Sequence, residues 1–206
     1  MKFTSLNIFL LAIAAGLLNT GCSDFGDRTT ENAGTISGNL TGLDAGSMVV
    51  LRSFKNGSLF KVAESETSEN GDFSITPEPP LKKGYHQLII NKRWPVVLIT
   101  DSTEAPIVTV EIPEENGYLL KANIEGSVES KLLAEYYSEI MPLQDSLLQV
   151  QTSMRTLSKE DKSVSDKKLK LIIEELENSS LAFVKNNEGH PATLAALESL
   201  NPEKHS

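Results

Sequence analysis

The sequence predicts an α+β protein in which an antiparallel β-sandwich or partly closed barrel is followed by helices. Short runs rich in Val, Ile, Leu and Thr, separated by turn residues, fill positions 35–125 of the 206-residue chain. Such runs are typical of β-strands. From Gly126 onward the apolar residues recur every three or four positions, which is typical of helices. We therefore expect a β domain over 35–125 and a helical region over 126–206.

About eight strands are expected, at the spacing typical of sandwiches and barrels. Asn56-Gly57 lies between two of them and is a strong hairpin signal. Phe73 and Ile75 alternate with polar residues, as a half-buried strand requires. The proline-rich residues 77–80 predict a loop or sheet edge, because proline cannot donate ladder hydrogen bonds. Since no helix intervenes, we expect only antiparallel pairing. The predicted strands are 35–40, 48–54, 58–67, 72–75, 85–91, 96–100, 107–111 and 118–125.

The helical region predicts two long helices and a short third one. Ser127 or Ser130 can cap the first helix, and Pro142 is expected to kink it or to start a new segment. The polar residues 158–165 predict a turn or a frayed helix end, and the second helix is predicted to begin at Ser165 and to end near 186. The third helix is predicted over 192–200, with Pro191 at its first turn and an Asn-Pro pair after it.

An apolar stripe with heptad spacing follows the first helix. We interpret it either as packing within a helical hairpin or as a surface for a protein partner. The stripe consists of Leu133, Tyr136, Ile140, Leu143, Leu147, Val150, Met154 and Leu157.

The first residues indicate an export signal. The apolar run 8–18 has eleven residues and is too short to span a bilayer, since a helix needs about 20 residues for that. It fits the apolar region of a signal peptide. The residues Leu18-Asn19-Thr20-Gly21-Cys22 resemble the bacterial lipobox, in which the cysteine thiol is acylated. This resemblance implies a signal peptide over 1–21, a lipidated Cys22 and a flexible polar tether over 22–34.

The lipobox resemblance also implies a location. Several acyl chains, palmitate among them, hold a bacterial lipoprotein stably in a membrane, whereas one chain binds only marginally. Ser23 stands where Asp would retain a Gram-negative lipoprotein at the inner membrane. We therefore predict an outer membrane lipoprotein of the cell envelope that faces the periplasm, with exposure on the cell surface as one alternative. An ordinary secretory signal with an incidental cysteine is the other.

The composition excludes several classes of function. A net charge of −9 argues against a nucleic-acid binder, which needs a basic face. One cysteine cannot form a disulfide or a Cys-x-x-Cys pair, and the three histidines lack ligand-like spacing. No Gly-x-Ser-x-Gly element or phosphate loop is present in the sequence. The prediction is a protein that is not an enzyme and uses no cofactor or metal.

The order of motifs resembles a known family. The segments Thr35-Ile36-Ser37-Gly38-Asn39-Leu40, Val49-Val50-Leu51 and Asn70-Gly71-Asp72-Phe73-Ser74-Ile75 are similar to a domain of unknown function. That domain precedes the thioredoxin-like domain in TlpA-like thiol–disulfide oxidoreductase lipoproteins. His190-Pro191 and Leu200-Asn201-Pro202 resemble the helical linker of those proteins. The family's activity needs a Trp-Cys-x-x-Cys turn that lowers a thiol pKa, and this motif maps onto no position of the chain.

One surface candidate stands out in the sequence. Trp94, with Arg93 and Lys92, is expected on a turn between two apolar strands. An aromatic ring with basic neighbours suits glycan or peptide binding, whereas a tryptophan that folds back onto the core would serve packing.

These observations favour a lipid-anchored envelope lipoprotein that acts as a non-catalytic interaction or scaffolding module. Its membrane contact would be the lipid on Cys22, and a protein partner would bind the helical stripe. A first alternative is the truncated front part of a TlpA-like oxidoreductase. A weaker alternative is a glycan-binding envelope module that uses Trp94.

Overall fold

The computed structural model describes residues 33–112, 120–154 and 159–200. Residues 1–32, with Cys22, the predicted signal peptide and most of the predicted tether, lie outside the described residues. Within the described ranges the strands are β1 Ile36–Thr41, β2 Met48–Lys55, β3 Ser58–Glu66, β4 Asp72–Ile75, β5 Gly84–Ile90, β6 Trp94–Thr100, β7 Ile107–Glu111 and β8 Lys121–Glu125. The helices are α1 Val128–Ser153, α2 Lys159–Asn186 and α3 Thr193–Ser199.

The strands form two four-stranded sheets that pack as a sandwich, which confirms the predicted fold class. The first sheet has the order β4-β1-β7-β8 and the second has the order β3-β2-β5-β6. The expectation of only antiparallel pairs is wrong at one place, because β1 and β7 are parallel. A parallel pair needs a long crossover. A crossover helix usually joins parallel strands. In this protein the crossover consists of the intervening strands, most of which belong to the second sheet.

The turn signals in the sequence are confirmed. Asn56 and Gly57 have φ angles of 51° and 76° and join β2 to β3, whose last pair is Lys55 with Ser58. Positive φ at both central residues is the requirement of a type I′ hairpin turn. The prolines of 77–80 lie in the connection between β4 and β5, as expected.

The main core lies between the two sheets. Phe73 and Ile75 are buried while Asp72 and Ser74 are exposed, so β4 alternates as its sequence predicts. The other strands except β3, which contributes only partly buried residues, also place buried apolar side chains in this core, and this apolar burial is the main stabilising contribution. The fully buried members include Ile36, Leu40, Val49, Leu51, Leu88, Ile90, Leu98, Val108, Val110 and Ile124.

Gly38 allows β1 to lie close to its neighbours. A Cβ atom at this position would overlap the carbonyl oxygen of Val108 on β7 and touch the ring of Phe73 on β4. The backbone of Val108 cannot move away without breaking its own strand. Only glycine therefore fits in this row of the first sheet.

The helices form a third layer on the outer face of the second sheet. Val97 and Ile99 on β6 and Tyr85 on β5 point away from the sandwich core and pack in a cluster with α1 and α3 residues, including Leu133 and Ala192. Because these three outward side chains are largely apolar and covered by the helices, the second sheet is packed on both faces there.

The start of α1 is held by two serines. Ser127 is the N-cap and its Oγ accepts from the backbone N–H of Ser130. Ser130 is fully buried, and its hydroxyl accepts from the N–H of Ile99 and donates to the carbonyl of Ile99, each at 2.9 Å. The sequence offered both serines as caps. Only Ser127 caps the helix, while Ser130 binds the outer edge of β6.

The helical hairpin is confirmed, although its boundaries differ from the prediction. Tyr136 near the start of α1 contacts Phe183 near the end of α2, so the two helices run antiparallel. Pro142 lies inside α1, which continues to Ser153 and does not restart there. The second helix begins at Lys159 and not at Ser165, so the predicted turn is wrong over 159–165. Helix propagation from the packed turns explains this extension, because each added residue gains a hydrogen bond.

Candidate functional site

Trp94 lies at the start of β6, directly after a tight turn. Asn91 and Lys92 both have positive φ, and the N–H of Arg93 donates to the carbonyl of Ile90. The Trp94 side chain is half-buried and packs against the sandwich core. Its indole Nε1 is buried without a hydrogen-bond partner. The Arg93 guanidinium lies 4.9 Å from the centroid of the ring, within the range of a cation–π contact. A glycan-binding role for this group stays a prediction.

The apolar stripe of α1 divides into two parts. Leu133, Tyr136 and Ile140 are buried against the second sheet, α2 and α3. Farther along, Val150 is buried, while Leu143, Leu147 and Met154 are half-buried. Leu157 lies outside the described residues. The first part of the stripe therefore packs inside the protein, and a partner surface on the stripe stays a prediction.

Hydroxyl groups join the three helices. The Tyr136 hydroxyl lies 2.9 Å from Ser180 Oγ and 3.1 Å from Ser199 Oγ, and the two serines are 2.9 Å apart. The three hydroxyls bond one another, and those of Tyr136 and Ser180 are buried whereas Ser199 is exposed. Glu129 adds a second tie, since its carboxylate binds His190 Nδ1 at 2.8 Å and the N–H of Ala192 at 3.0 Å. These groups hold the helical layer together.

A cleft opens at the end of the sandwich beside the proline loop. We call it the proline cleft; its volume is about 340 Å³. Its apolar walls include Phe54, Val62 and Leu81, and its polar groups are Ser53, His86 and three lysines. A cavity of this size, with apolar walls and a few polar groups, is typical of a site for a small molecule.

His86 on β5 is one of the residues around the proline cleft. The side chain is 2% exposed, and its Nε2 lies 3.0 Å from the carbonyl oxygen of Lys82 and 3.2 Å from that of Thr100. Two acceptors at Nε2 require the proton to be on that nitrogen. Burial lowers the pKa of His86 below its ordinary value, so the ring is neutral at pH 7. Its Nδ1 is a buried acceptor without a partner.

The rim of the proline cleft is basic, although the protein is acidic overall. Lys55 lies at the end of β2, and Lys82 and Lys83 precede β5. Across the described part of the chain, none of these lysines has a carboxylate oxygen within 4.0 Å. The nearby Asp101 is engaged by Thr103, whose hydroxyl and backbone N–H both bind its Oδ1 and lower the pKa of the carboxyl.

Sequence reasoning did not identify the proline cleft. In the sequence, His86 is one of three histidines without ligand-like spacing and therefore gave no signal. The pair Lys82-Lys83 directly after the proline loop was the signal available in the sequence. It did not indicate a site by itself, because only the fold brings Lys55 and His86 to the same place.

An exposed apolar surface lies at the β2–β3 hairpin. Phe54, Leu59 and Phe60 are 56%, 42% and 53% exposed, and we call these three residues the hairpin tip. Phe54 and Leu59 are cross-strand partners on the outer face of the second sheet, whereas Phe60 is paired with Ser53 and lies on the opposite face of the hairpin. Within the described ranges, no other phenylalanine is this exposed.

Neither a metal site nor a membrane-spanning helix is found among the described residues. No three His, Cys, Asp or Glu side chains among them are grouped so that they could hold a metal ion. Their helices do not reach the combination of length and apolar character needed to cross a membrane. Comparison with models of known families and with curated proteins found no match to this chain.

Proposed function

We propose that this protein is a lipid-anchored lipoprotein of the cell envelope whose sandwich and helical layer act as a non-catalytic interaction or scaffolding module. The anchor part of the proposal rests on the lipobox-like residues 18–22 and the short apolar run before them. The proposed outer membrane location rests on Ser23 at the position after the lipidated cysteine. The resemblance to the domain that precedes the thioredoxin-like domain in TlpA-like lipoproteins belongs to the same proposal.

The hairpin tip is the observation that supports an interaction role. Exposed phenylalanine side chains cost free energy in water, roughly 25 cal/mol for each Å² of apolar surface. Ten large apolar side chains are exposed in the described part of the chain, and three of them belong to this one hairpin, where Phe54 and Leu59 are neighbours on one face. Clustered exposed apolar residues indicate a surface that becomes covered by a partner.

The anchor is tested by labelling cells with radioactive palmitate. We expect the label to appear on the wild-type protein and to disappear in the Cys22→Ser variant. Ser23→Ala serves as the matched control and should keep the label. A wild-type chain without label, or a labelled Cys22→Ser chain, would contradict the anchor.

The interaction role is tested separately by site-specific photo-crosslinking in intact cells. A photoreactive residue replaces Leu59, the neighbour of Phe54 at the hairpin tip, and a control replaces Leu171, which is 65% exposed on α2. We expect one reproducible cross-linked band from position 59 and none from position 171. Equal patterns from both positions would show that the hairpin tip has no partner.

A further inference from the structure

The hairpin tip carries exposed apolar side chains on both of its faces. Phe54 and Leu59 lie on the outer face of the second sheet, whereas Phe60 is paired with Ser53 and lies on the opposite face. All residues of 54–61 are exposed, so this end of the hairpin projects from the sandwich. A partner docked on one face would leave the other face in water. Inserting the tip into an apolar medium covers both faces at once.

The hairpin tip lies in a basic part of an acidic protein. The chain has a net charge of −9, yet the segments 52–63 and 79–86 contain five Lys or Arg residues and no Asp or Glu. Residues of both segments line the proline cleft, so the fold places this positive charge at one end of the sandwich. Glu198 on α3 lines a separate cleft with Phe54 and Leu59 and marks where the basic end gives way to the helical layer.

Three lysines at this end have their charge available for a partner. Lys55, Lys82 and Lys83 are exposed, and no carboxylate oxygen of the described residues lies within 4.0 Å of their Nζ atoms. Lys61, in contrast, is bound to Glu64 at 2.6 Å. Free lysines beside exposed apolar side chains match the surface of a bilayer with anionic lipids, where the headgroups attract the cations and the acyl boundary takes up the apolar groups.

The chain enters the sandwich near the same end. The N–H of Gly34 donates to the carbonyl of Glu104 at 2.8 Å, and the N–H of Ser102 donates to the carbonyl of Leu81 at 3.1 Å. Leu81 lines the proline cleft together with Phe54, so the first described residues lie toward the basic end. The stretch from residue 22 to residue 33 reaches at most about 40 Å. A lipid at residue 22 would therefore keep this end close to the bilayer.

We propose that the hairpin tip inserts into the surface of a bilayer that contains anionic lipids, and that Lys55, Lys82 and Lys83 bind the lipid headgroups. This inference rests on the proposed interaction role, because it names lipid as the partner of the hairpin tip. The cross-linked product at position 59 then contains lipid. With the anchor as one contact and the tip as a second, the sandwich has a fixed orientation on the membrane.

The test uses the full chain as purified from cells, bound to vesicles of phosphatidylcholine alone or mixed with phosphatidylglycerol. Phe60→Trp places a fluorescent reporter at the hairpin tip, and Leu171→Trp places the matched reporter on the exposed side of α2. Lipids with brominated acyl chains quench a tryptophan that enters the bilayer. We expect quenching at position 60 in the mixed vesicles, less in phosphatidylcholine alone, and none at position 171. Because the anchor is the same in both kinds of vesicle, the difference reports the tip.

Lysine variants test the role of charge in the Phe60→Trp chain. Exchanging both Lys82 and Lys83 for Gln should lower the ratio of inserted to free tip by about 10- to 30-fold, since each lysine near an anionic surface contributes about fivefold. The matched control exchanges Lys167 and Lys168 on α2, also adjacent and exposed, and should leave the ratio unchanged. Higher salt should lower the ratio, because exposed charges are screened.

An apolar variant tests the insertion itself. Phe54→Ser should lower the ratio of inserted to free tip about tenfold, as expected when a large apolar side chain is lost from an apolar environment. Val164→Ser is the control, since Val164 is 70% exposed on α2, and it should have no effect. Both side chains are exposed, so neither change removes a core contact.

Three results would overturn the inference. These are equal quenching at positions 60 and 171, equal quenching in the two kinds of vesicle, and equal insertion of the two double-lysine variants. A cross-link from position 59 to a protein and not to lipid would also overturn it, but would leave the interaction role standing. Equal cross-linking patterns from positions 59 and 171 would refute the interaction role itself, so the two failures are distinguishable.

Discussion

Ser130 offers a sharp test of how α1 is joined to the sandwich. β6 is the edge strand of the second sheet, so the outward N–H and C=O of Ile99 have no strand to bind. The Ser130 hydroxyl lies 2.9 Å from both atoms and takes the place of a neighbouring strand. Ile99 is 2% exposed and Ser130 is fully buried, so water cannot substitute for the hydroxyl. The change to test is Ser130→Ala.

The expected loss of stability depends on which hydrogen-bond partners the Ile99 backbone keeps in the Ser130→Ala variant. The Ile99 carbonyl can still accept from the Ser127 hydroxyl, which lies 3.0 Å away. The Ile99 N–H has no other partner at this place and becomes a buried, unsatisfied donor. Such a group costs about 1–3 kcal/mol, so we expect Ser130→Ala to lower the free energy of unfolding by about 2 kcal/mol. For a chain of this size that corresponds to roughly 4–8 °C in Tm.

The measurement is urea denaturation followed by circular dichroism, together with hydrogen exchange of the Ile99 amide. Ser138→Ala is the matched control, because Ser138 is also on α1 but its hydroxyl binds the carbonyl of Glu135 at an exposed position. The control should change stability by less than about 0.5 kcal/mol. If Ser130→Ala costs no more than the control, or if the Ile99 amide exchanges as slowly as before, the hydroxyl is not acting as a strand substitute.

Three further predictions concern other parts of the fold. Gly38→Ala should lower the free energy of unfolding by about 1–3 kcal/mol, because its Cβ would overlap the carbonyl oxygen of Val108; an unchanged urea midpoint would contradict this. Tyr136→Phe should cost about 1–2 kcal/mol by removing the hydroxyl that binds Ser180, which a thermal melt of the helical signal measures. Burial lowers the pKa of His86 from its ordinary value of 6.5, so the unfolded chain takes up the proton first on acidification. Stability should be full above pH about 6.5 and fall below it, and His86→Gln should flatten that dependence in urea titrations at several pH values.

The strands were predictable because their signals are local. The alternation of Phe73 and Ile75 with polar residues and the Asn56-Gly57 turn depend only on neighbouring residues. The pairing of β1 with β7 was not predictable in this way. These strands are separated by five others, and parallel pairing there depends on how the two sheets stack.

The helix boundaries also depend on both local sequence and tertiary packing. From the local sequence alone, Pro142 predicts a break in the first helix and the polar residues 159–165 predict a turn. In the folded protein both lie within helices, because each is continuous with helical turns that carry buried residues. Val164 is 70% exposed, so that part of α2 has no apolar stripe from which it could have been predicted.

The candidate surfaces were predictable to different degrees. Trp94 was identified as distinctive, and its two alternatives, binding and packing, could be separated only by knowing which sheet face it lies on. The proline cleft was missed altogether. Lys55 and His86 are on different strands, β2 and β5, and they meet because Ser53 and His86 are paired across those strands. The register between β2 and β5, which decides this pairing, is set by how the two strands pack in the folded protein.

The sequence by itself determined the strand-rich and helical halves, the hairpin turn, the apolar stripe of α1 and the lipobox-like segment at Cys22. Each of these depends on residues within a few positions of one another, where periodicity and turn chemistry act directly. Tertiary structure alone decided the parallel β1–β7 pair, the role of Ser130 at the β6 edge, and the meeting of three lysines with His86. Those features join residues distant in sequence, and only packing two sheets and a helical layer around common cores brings them together.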